Sequence, residues 1–288
     1  MAENRRTVLI TGATGHQGGA TIRELIGSEF ALRALTRHPE AGAARALASR
    51  GVEVVRGDLN DEASLARALE GVWGVYAVQN TWEAGVEGEE AQGKRIATLA
   101  KRAGVQHYVY ASVASAQRKT GVPHFENKWR VEETVRALGF PSHVVVRPVF
   151  FMENLLTPWF LNGDKIVAAM DPGTVLQMIA VQDIGQYGAR AFTHAGALRG
   201  TAIDIAGDEA TMPEAARILG EAFGRKIEFA RAPIEEVRKQ SEDLALMLEW
   251  FDRVGYDADI AGNTARHGIR PTKLAAWAAA QAKAIATA

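Results

Sequence analysis

Short apolar runs alternate with helical patterns along the first half of the chain. The apolar runs cover residues 7–11, 31–36, 52–57, 72–78, 107–112 and 142–148. A helical pattern lies between each pair of successive runs. The first pattern ends near Gly27, the second follows the run at 31–36, and the third starts at about Asp61. The fourth covers roughly 88–103, and the fifth contains HFENKW (124–129). Runs such as VLI and VVV are apolar at consecutive positions, which is typical of parallel strands covered on both faces. The alternation predicts an α/β fold with a Rossmann-type doubly wound parallel sheet.

Beyond Pro148 the alternation becomes irregular. FFMENLL is followed by a helix over 181–195, the run TAIDIAG, helices near 212–223 and 241–252, and an alanine-rich helix after Pro271. We therefore predict a Rossmann domain over residues 1–150, with returning segments near 181–206. Residues 151–288 are predicted to form a smaller, mostly helical C-terminal domain that handles a substrate or a protein partner.

Composition excludes several classes of function. The 288 residues include 33 lysines and arginines against 34 acids, a net charge of −1, so no basic face for nucleic acid or anionic membrane is expected. The chain has no cysteine, and its seven histidines show no metal-binding spacing. No apolar segment approaches the roughly 20 residues that span a bilayer, and no signal-peptide core is visible. The prediction is a cytoplasmic protein without a metal.

The segment TGATGHQGG (11–19) lies between the first predicted strand and the first helix. Gly12 permits a tight turn, Gly15 permits close approach of a pyrophosphate, and Gly18 permits the helix to pack close to the sheet. The N-terminus of the following helix offers free N–H groups to phosphates. This context favours a dinucleotide-binding loop over a glycine-rich turn without a ligand.

The end of the second strand bears on the choice of dinucleotide. NAD sites usually place an acidic residue about 20 residues beyond the loop, whereas Thr36 and Arg37 stand there in this chain. A guanidinium binds a 2′-phosphate that a carboxylate would repel. Glu40 weakens the positive field nearby. We predict that NADP(H) is preferred and keep NAD(H) as the alternative.

Further candidates follow the other predicted strands, where ligands of open α/β sheets bind. Asp58 and Leu59 follow the third strand and suit an adenine edge. The remaining candidates are Gln79 and Asn80 after the fourth strand, Ser112 at the end of the fifth, and Phe150 after the sixth. Their convergence on one edge of the sheet supports a ligand site there.

The helix that contains HFENKW has a buried stripe. Val131, Val135 and Leu138 are spaced to pack on the sheet, and His124 and Lys128 continue the same face toward the helix N-terminus. A solvated lysine is expected on the opposite face. The alternative, a lysine whose stem lies along the sheet margin, is the weaker interpretation. His124, Lys128 and Ser112 are the candidate catalytic residues.

The motifs TGATGHQGG, TRHPE, GDL, QNTWE, QGK (92–94), HFENK and RPVFFMENLL together resemble the NmrA-like branch of atypical short-chain dehydrogenase/reductases. The likeness is greatest to the HSCARG-type NADPH sensors, and it covers nearly the whole chain. By this resemblance Arg37 binds the 2′-phosphate and Lys128 reaches the nicotinamide ribose, and Lys94 matches a second lysine of the family. The residues that match the pyrophosphate loop are Gly12, Thr14, Gly15, Gln17 and Gly18.

Two positions depart from the family pattern. Relatives often carry further basic residues after the arginine, whereas Glu40, Ala41 and Gly42 follow here. Ordinary short-chain reductases use Tyr-x-x-x-Lys, and His124 occupies the tyrosine position of this motif, as in the HSCARG-type branch. HFENKW is therefore interpreted as a cofactor clamp with a changed proton-transfer partner.

Two functions remain open at this point. The leading hypothesis is an NADP(H)-binding redox sensor or regulator that acts on a protein partner. The alternative is an NADPH-dependent reductase of a bulky apolar acceptor, a quinone or an aromatic carbonyl, with Lys128 as acid or ribose anchor. In that case Trp82, Phe150 and Phe151 would wall the nicotinamide pocket. Direct binding to nucleic acid or membrane is not expected.

Overall fold

The computed structural model describes residues 5–286 of the chain. Contacts divide it into two compact units. The first unit contains the chain up to Val113, Asn127–Arg147 and Ile184–Ile203; the second contains Ala114–Glu126, Pro148–Asp183 and the chain from Asp204. The functional domain boundary predicted at residue 150 stays a prediction.

The strands and helices are numbered in chain order. The strands are β1 (Thr7–Ile10), β2 (Ala31–Thr36), β3 (Glu53–Arg56), β4 (Val72–Ala77), β5 (His107–Ala111), β6 (Ser142–Pro148), β7 (Phe150–Phe151), β8 (Leu161–Asn162), β9 (Lys165–Ala168), β10 (Val175–Ile179), β11 (Thr201–Ile205), β12 (Asp208–Thr211) and β13 (Glu228–Arg231). The helices are α1 (His16–Leu25), α2 (Gly42–Ala48), α3 (Glu62–Ala68), α4 (Thr81–Arg102), α5 (Pro123–Ala137), α6 (Val181–Thr193), α7 (Met212–Phe223), α8 (Ile234–Gln240), α9 (Glu242–Arg253), α10 (Ile260–His267) and α11 (Leu274–Ala286). Short 3-10 turns cover Ala116–Arg118 and Met152–Leu156.

The central sheet has seven strands in the order β11-β6-β5-β4-β1-β2-β3. From β1 the chain proceeds outward to β2 and β3, then returns to the other side of β1 to form β4, β5 and β6, with parallel pairing in each of these steps. The strand order therefore reverses between β1 and β4, which is the point where doubly wound sheets bind ligands. The predicted Rossmann-type fold is confirmed.

The central strands form because their side chains are apolar on both faces. Val8, Leu9 and Ile10 of β1 are fully buried, and Val144 and Val146 of β6 are equally inaccessible. Capping residues in the sequence fix where some of the flanking helices begin. Asp61 caps α3 by accepting a hydrogen bond from the backbone N–H of Ala63.

The second unit holds two small sheets that the sequence pattern does not predict. One has the strand order β12-β10-β7 and the other β13-β9-β8. The predicted helices near 212–223, near 241–252 and after Pro271 are present as α7, α9 and α11. Within residues 5–286, no helix has the length and apolar character that a membrane span requires.

Candidate functional site

The loop after β1 is shaped by its glycines. Gly12 has a φ of 58°, in the left-handed region that favours glycine, and a Cβ there would lie 2.7 Å from the Val78 side chain. At Gly18 a Cβ would lie 2.5 Å from the carbonyl oxygen of Gly12. The hydroxyl of Thr11 donates to the Val78 carbonyl and accepts from the Val78 N–H, both at 2.8 Å. The chain is thus held tightly where β1 and β4 end.

The N-terminus of α1 opens from this loop. Its N-cap residue, Gly15, supplies no side-chain hydrogen bond to the first helical turn, so the N–H groups of this turn suit an anion. Thr14 is exposed beside it. Gln17, in the first turn, has a buried Oε1 atom with no hydrogen-bond partner within residues 5–286.

Arg37 lies just beyond β2, as predicted, and forms an ion pair with Glu83 in the first turn of α4. Both side chains are about half exposed, at 51% and 52%. The carboxylate that neutralises the Arg37 guanidinium is therefore that of Glu83. From the sequence alone, this effect was expected of Glu40. An exposed ion pair of this kind is weak, so a phosphate can compete for the guanidinium.

The residues after β3 form a local turn. Asp58 accepts a hydrogen bond from the Asn60 N–H at 2.8 Å, and its own N–H donates to the Ser64 hydroxyl at 3.1 Å. The Leu59 carbonyl accepts from the Arg95 guanidinium at 2.8 Å. After β4, Asn80 acts as N-cap of α4 through a hydrogen bond from the Trp82 N–H. Hydrogen bonds within the protein thus already involve Asp58, Leu59 and Asn80.

Gln79 differs from these neighbours. It follows β4 at the sheet edge and is 6% exposed, yet neither its amide oxygen nor its amide nitrogen has a hydrogen-bond partner within residues 5–286. The Oδ1 atom of Asn127 is buried and unpaired in the same way. An unpaired buried polar atom costs about 1–3 kcal/mol, so these atoms favour a polar ligand at this edge.

Lys128 is buried in the first unit, where it forms an ion pair with Glu89. Its Nζ lies 2.6 Å from Oε1 of Glu89, and the two residues are 9% and 1% exposed. The second carboxylate oxygen of Glu89 accepts from Asn127 Nδ2 at 3.0 Å and from the Thr81 hydroxyl. The predicted burial of Lys128 on the inner face of α5 is confirmed. The ammonium is held by a carboxylate that itself has three donors.

Burial and charge oppose each other at Glu89. Burial raises the pKa of this carboxyl, but the Lys128 ammonium and the hydrogen bonds from Lys128, Thr81 and Asn127 bring it below its ordinary value. Glu89 is therefore ionised at neutral pH, and the buried pair carries no net charge. Lys94, the second predicted lysine, binds the next carboxylate along α4, Glu90, at 2.6 Å.

Ser112, at the end of β5, belongs to a separate buried cluster. Its hydroxyl donates to Oε1 of Glu132 at 2.6 Å. Arg147 binds both oxygens of the same carboxylate at 2.8 and 2.7 Å, and Arg136 adds a contact at 2.6 Å. Glu132 is fully buried. The Ser112 hydroxyl proton is thus directed to a structural carboxylate.

The other two predicted residues belong to the second unit. His124 is 8% exposed, and its Nδ1 lies 2.5 Å from the Asp243 carboxylate, which also accepts from the His124 backbone N–H. Phe150 is buried with its ring 5.1 Å from that of Phe160 and 6.3 Å from that of Phe251. Trp82, in the first unit, is 62% exposed.

The first unit therefore brings together most of the predicted residues at the carboxyl edge of the parallel strands. The sequence missed Glu89 and Asn127. A signal for Glu89 was available, because the buried face of α4 repeats through Gly93, Ile96, Ala97 and Ala100, and Glu89 lies one turn before Gly93 on that face. A charged residue that continues a buried stripe marks a paired charge, as it does at Lys128.

Comparison with known proteins agrees with this fold. The model of the NmrA-like family matches residues 4–278. A (4-alkanoyl-5-oxo-2,5-dihydrofuran-3-yl)methyl phosphate reductase of Streptomyces griseus is 32% identical over 247 residues, which are 80% of this chain and 79% of that protein. The chain spans about half the length of several other curated relatives, such as the oxidoreductase FrzB of Cladobotryum sp. (48%).

Two solved structures have similar folds. The NADPH-dependent quinone oxidoreductase QOR2 of Escherichia coli, complexed with NADPH, has a TM-score of 0.81 at 24% identity and covers 95% of this chain and 99% of its own. NmrA, a negative transcriptional regulator in complex with NADP, has a TM-score of 0.78 at 22% identity, with coverage of 96% and 95%. Since the family model spans most of the sequence and the Streptomyces reductase shares 32% identity, the protein is a member of the NmrA-like family.

Proposed function

We propose that the first unit binds NADP(H). The glycine loop and the uncapped N-terminus of α1 would hold the pyrophosphate, and Lys128 would hold the nicotinamide ribose. The unpaired buried atoms of Gln79, Gln17 and Asn127 support a polar ligand at this edge. QOR2 and NmrA, which share the fold, are described with NADPH and NADP bound. When bound, such a dinucleotide supplies hydride transfer at its nicotinamide ring.

Arg37 carries the proposed preference for NADP(H) over NAD(H). Its guanidinium is exposed at the end of β2, and a 2′-phosphate would offer it two charges in place of the single carboxylate of Glu83. Lys94 has a weaker claim to a cofactor contact, because Glu90 already binds its ammonium. The second unit is assigned the recognition of a substrate or of a protein partner.

The proposed activity is that of a redox sensor or regulator, as in the HSCARG-type branch. The observation that carries this proposal is the pairing of Lys128 with Glu89. In ordinary short-chain reductases the lysine charge lowers the pKa of a tyrosine that passes the proton. Here the lysine charge is neutralised, the tyrosine position holds His124, and burial raises the pKa of Tyr110 well above its ordinary value. The first unit would thus hold a dinucleotide without the tyrosine that ordinarily passes the proton.

A second function is favoured by the relatives. The Streptomyces reductase shares 32% identity over most of both chains, and QOR2 is named as an NADPH-dependent quinone oxidoreductase. An NADPH-dependent reductase of a quinone or an aromatic carbonyl is therefore the alternative. His124, paired with Asp243, would then be the candidate acid.

Catalytic oxidation of NADPH distinguishes the sensor from the reductase. As a sensor, the protein should oxidise NADPH at the background rate across a panel of quinones and aromatic aldehydes, because no acid is poised to protonate the product. The measurement is the loss of NADPH absorbance with and without protein, with Lys128→Met as a control. Steady oxidation of one acceptor by the native protein, abolished in Lys128→Met, would establish the reductase instead.

A further inference from the structure

The Lys128–Glu89 pair lies inside the first unit. Glu89 is 1% exposed, and its partners are the Lys128 ammonium, the Asn127 amide and the Thr81 hydroxyl. Of these partners only Lys128 carries a charge. The electric field at this end of α5 therefore depends on whether the lysine and the carboxylate are both present.

The backbone of helix α4 places the Glu89 carboxylate next to Lys128. Gly85 has a φ of 73° and interrupts the helical backbone between Thr81 and Glu89. The interruption lets the Thr81 hydroxyl, which is eight residues earlier in the chain, reach the carboxylate. Gly93, one turn further, would place a Cβ 2.9 Å from the Val131 side chain, so only glycine allows α4 and α5 to approach this closely. The close approach is what brings Glu89 within 2.6 Å of Lys128.

The oxidised and reduced dinucleotides differ by one positive charge, which is located on the nicotinamide ring. A buried lysine next to the nicotinamide ribose would by itself disfavour the oxidised form. A buried carboxylate paired with that lysine removes this bias, because in a medium of low polarity charges act strongly over several ångströms. The two residues thus have opposite effects on the choice between NADP⁺ and NADPH.

We propose that Glu89 is a positioning residue that sets the relative affinity of the protein for NADP⁺ and NADPH. It orients Lys128 toward the ribose and cancels the lysine charge that would otherwise repel the oxidised ring. This inference rests on the proposed binding of NADP(H) by the first unit and deepens it. It identifies the buried carboxylate as the residue through which a sensor of this kind is tuned.

The test compares the dissociation constants of NADP⁺ and NADPH by calorimetric titration. Glu89→Gln keeps the shape of the side chain and removes its charge. The ratio Kd(NADP⁺)/Kd(NADPH) should rise by about tenfold, since one uncompensated charge near the ring is worth at least that factor. Lys128→Met removes the ammonium that disfavours the oxidised ring, so the ratio should not rise in this variant. Glu87→Gln, an exposed position on α4, is the matched control and should leave the ratio unchanged.

A purely structural role would weaken both dinucleotides equally, so an unchanged ratio in Glu89→Gln would overturn the proposal. If that variant does not fold, the double variant Glu89→Gln/Lys128→Met removes both buried charges together. It should have the native ratio, and a tenfold change there would also overturn the proposal. Failure of the native protein to bind either dinucleotide would instead contradict the proposed function itself.

Discussion

At the scale of single residues, buried ionisable groups distinguish this protein from a generic Rossmann domain. Arg37 and Lys128 were predicted from the sequence because strand ends and helical periodicity fix where they lie. Glu89 and Glu132 were not predicted from the sequence. The pairing of a buried cation with a particular carboxylate depends on how elements that are distant in sequence pack together. Glu132 is an example, since its partners are Ser112, just after β5, and Arg147, on β6.

His107 gives a residue-scale prediction about pH. Burial lowers the pKa of its imidazole from 6.5 to about 4, partly offset by the hydrogen bond to the Ala191 carbonyl, and His143 lowers it further. Between these values the unfolded chain binds a proton that the folded chain does not. The contribution of His107 therefore lowers stability by about 3 kcal/mol as the pH falls from 6.5 to 4, and is constant above pH 6.5.

Urea unfolding at several pH values checks this prediction. His107→Gln removes the titrating group, so its stability should fall less than that of the native protein over this range. His38→Gln, at an exposed position, is the control and should follow the native profile. Parallel profiles for the native protein and His107→Gln would show that His107 does not make this contribution.

At the scale of elements, the strands of the central sheet were predictable and those of the second unit were not. β1 and β6 are apolar at consecutive positions because helices cover both faces of the sheet. β8 and β13 are short and half exposed, so their pattern does not differ from that of a loop. The start of α4 was placed at 88 instead of Thr81, because Gly85 and Gly88 obscure the helical pattern.

The interruption of α4 gives a prediction at this scale. Gly85 has a φ of 73° and a ψ of 169°, a conformation essentially reserved for glycine, which an alanine adopts at a cost of about 1–3 kcal/mol. Gly88 is helical, so alanine gains up to about 1 kcal/mol in helix propensity, reduced by the Ala84 Cβ at 3.2 Å. Gly85→Ala should therefore unfold at lower urea than Gly88→Ala. Equal midpoints would show that the positive φ of residue 85 does not require glycine.

At the scale of the whole molecule, every proposed role depends on one property of the protein. The sensor, the reductase and the role of Glu89 all require that the protein bind a nicotinamide dinucleotide, with Arg37 favouring the 2′-phosphate. Family membership and the fold agree with this property. The residues proposed to bind the dinucleotide are those of the glycine loop, Gln79 with its unpaired amide, and Lys128 with its paired charge.

The most direct test is the melting temperature of the native protein with NADPH and with NADH at equal concentrations. A ligand at 100 times its dissociation constant stabilises the fold by about 2.7 kcal/mol, which is visible as an upward shift. NADPH should give a larger shift than NADH, and the two shifts should be equal for Arg37→Ala. No shift with either dinucleotide would contradict the binding of a nicotinamide dinucleotide, and equal shifts in the native protein would contradict the role of Arg37.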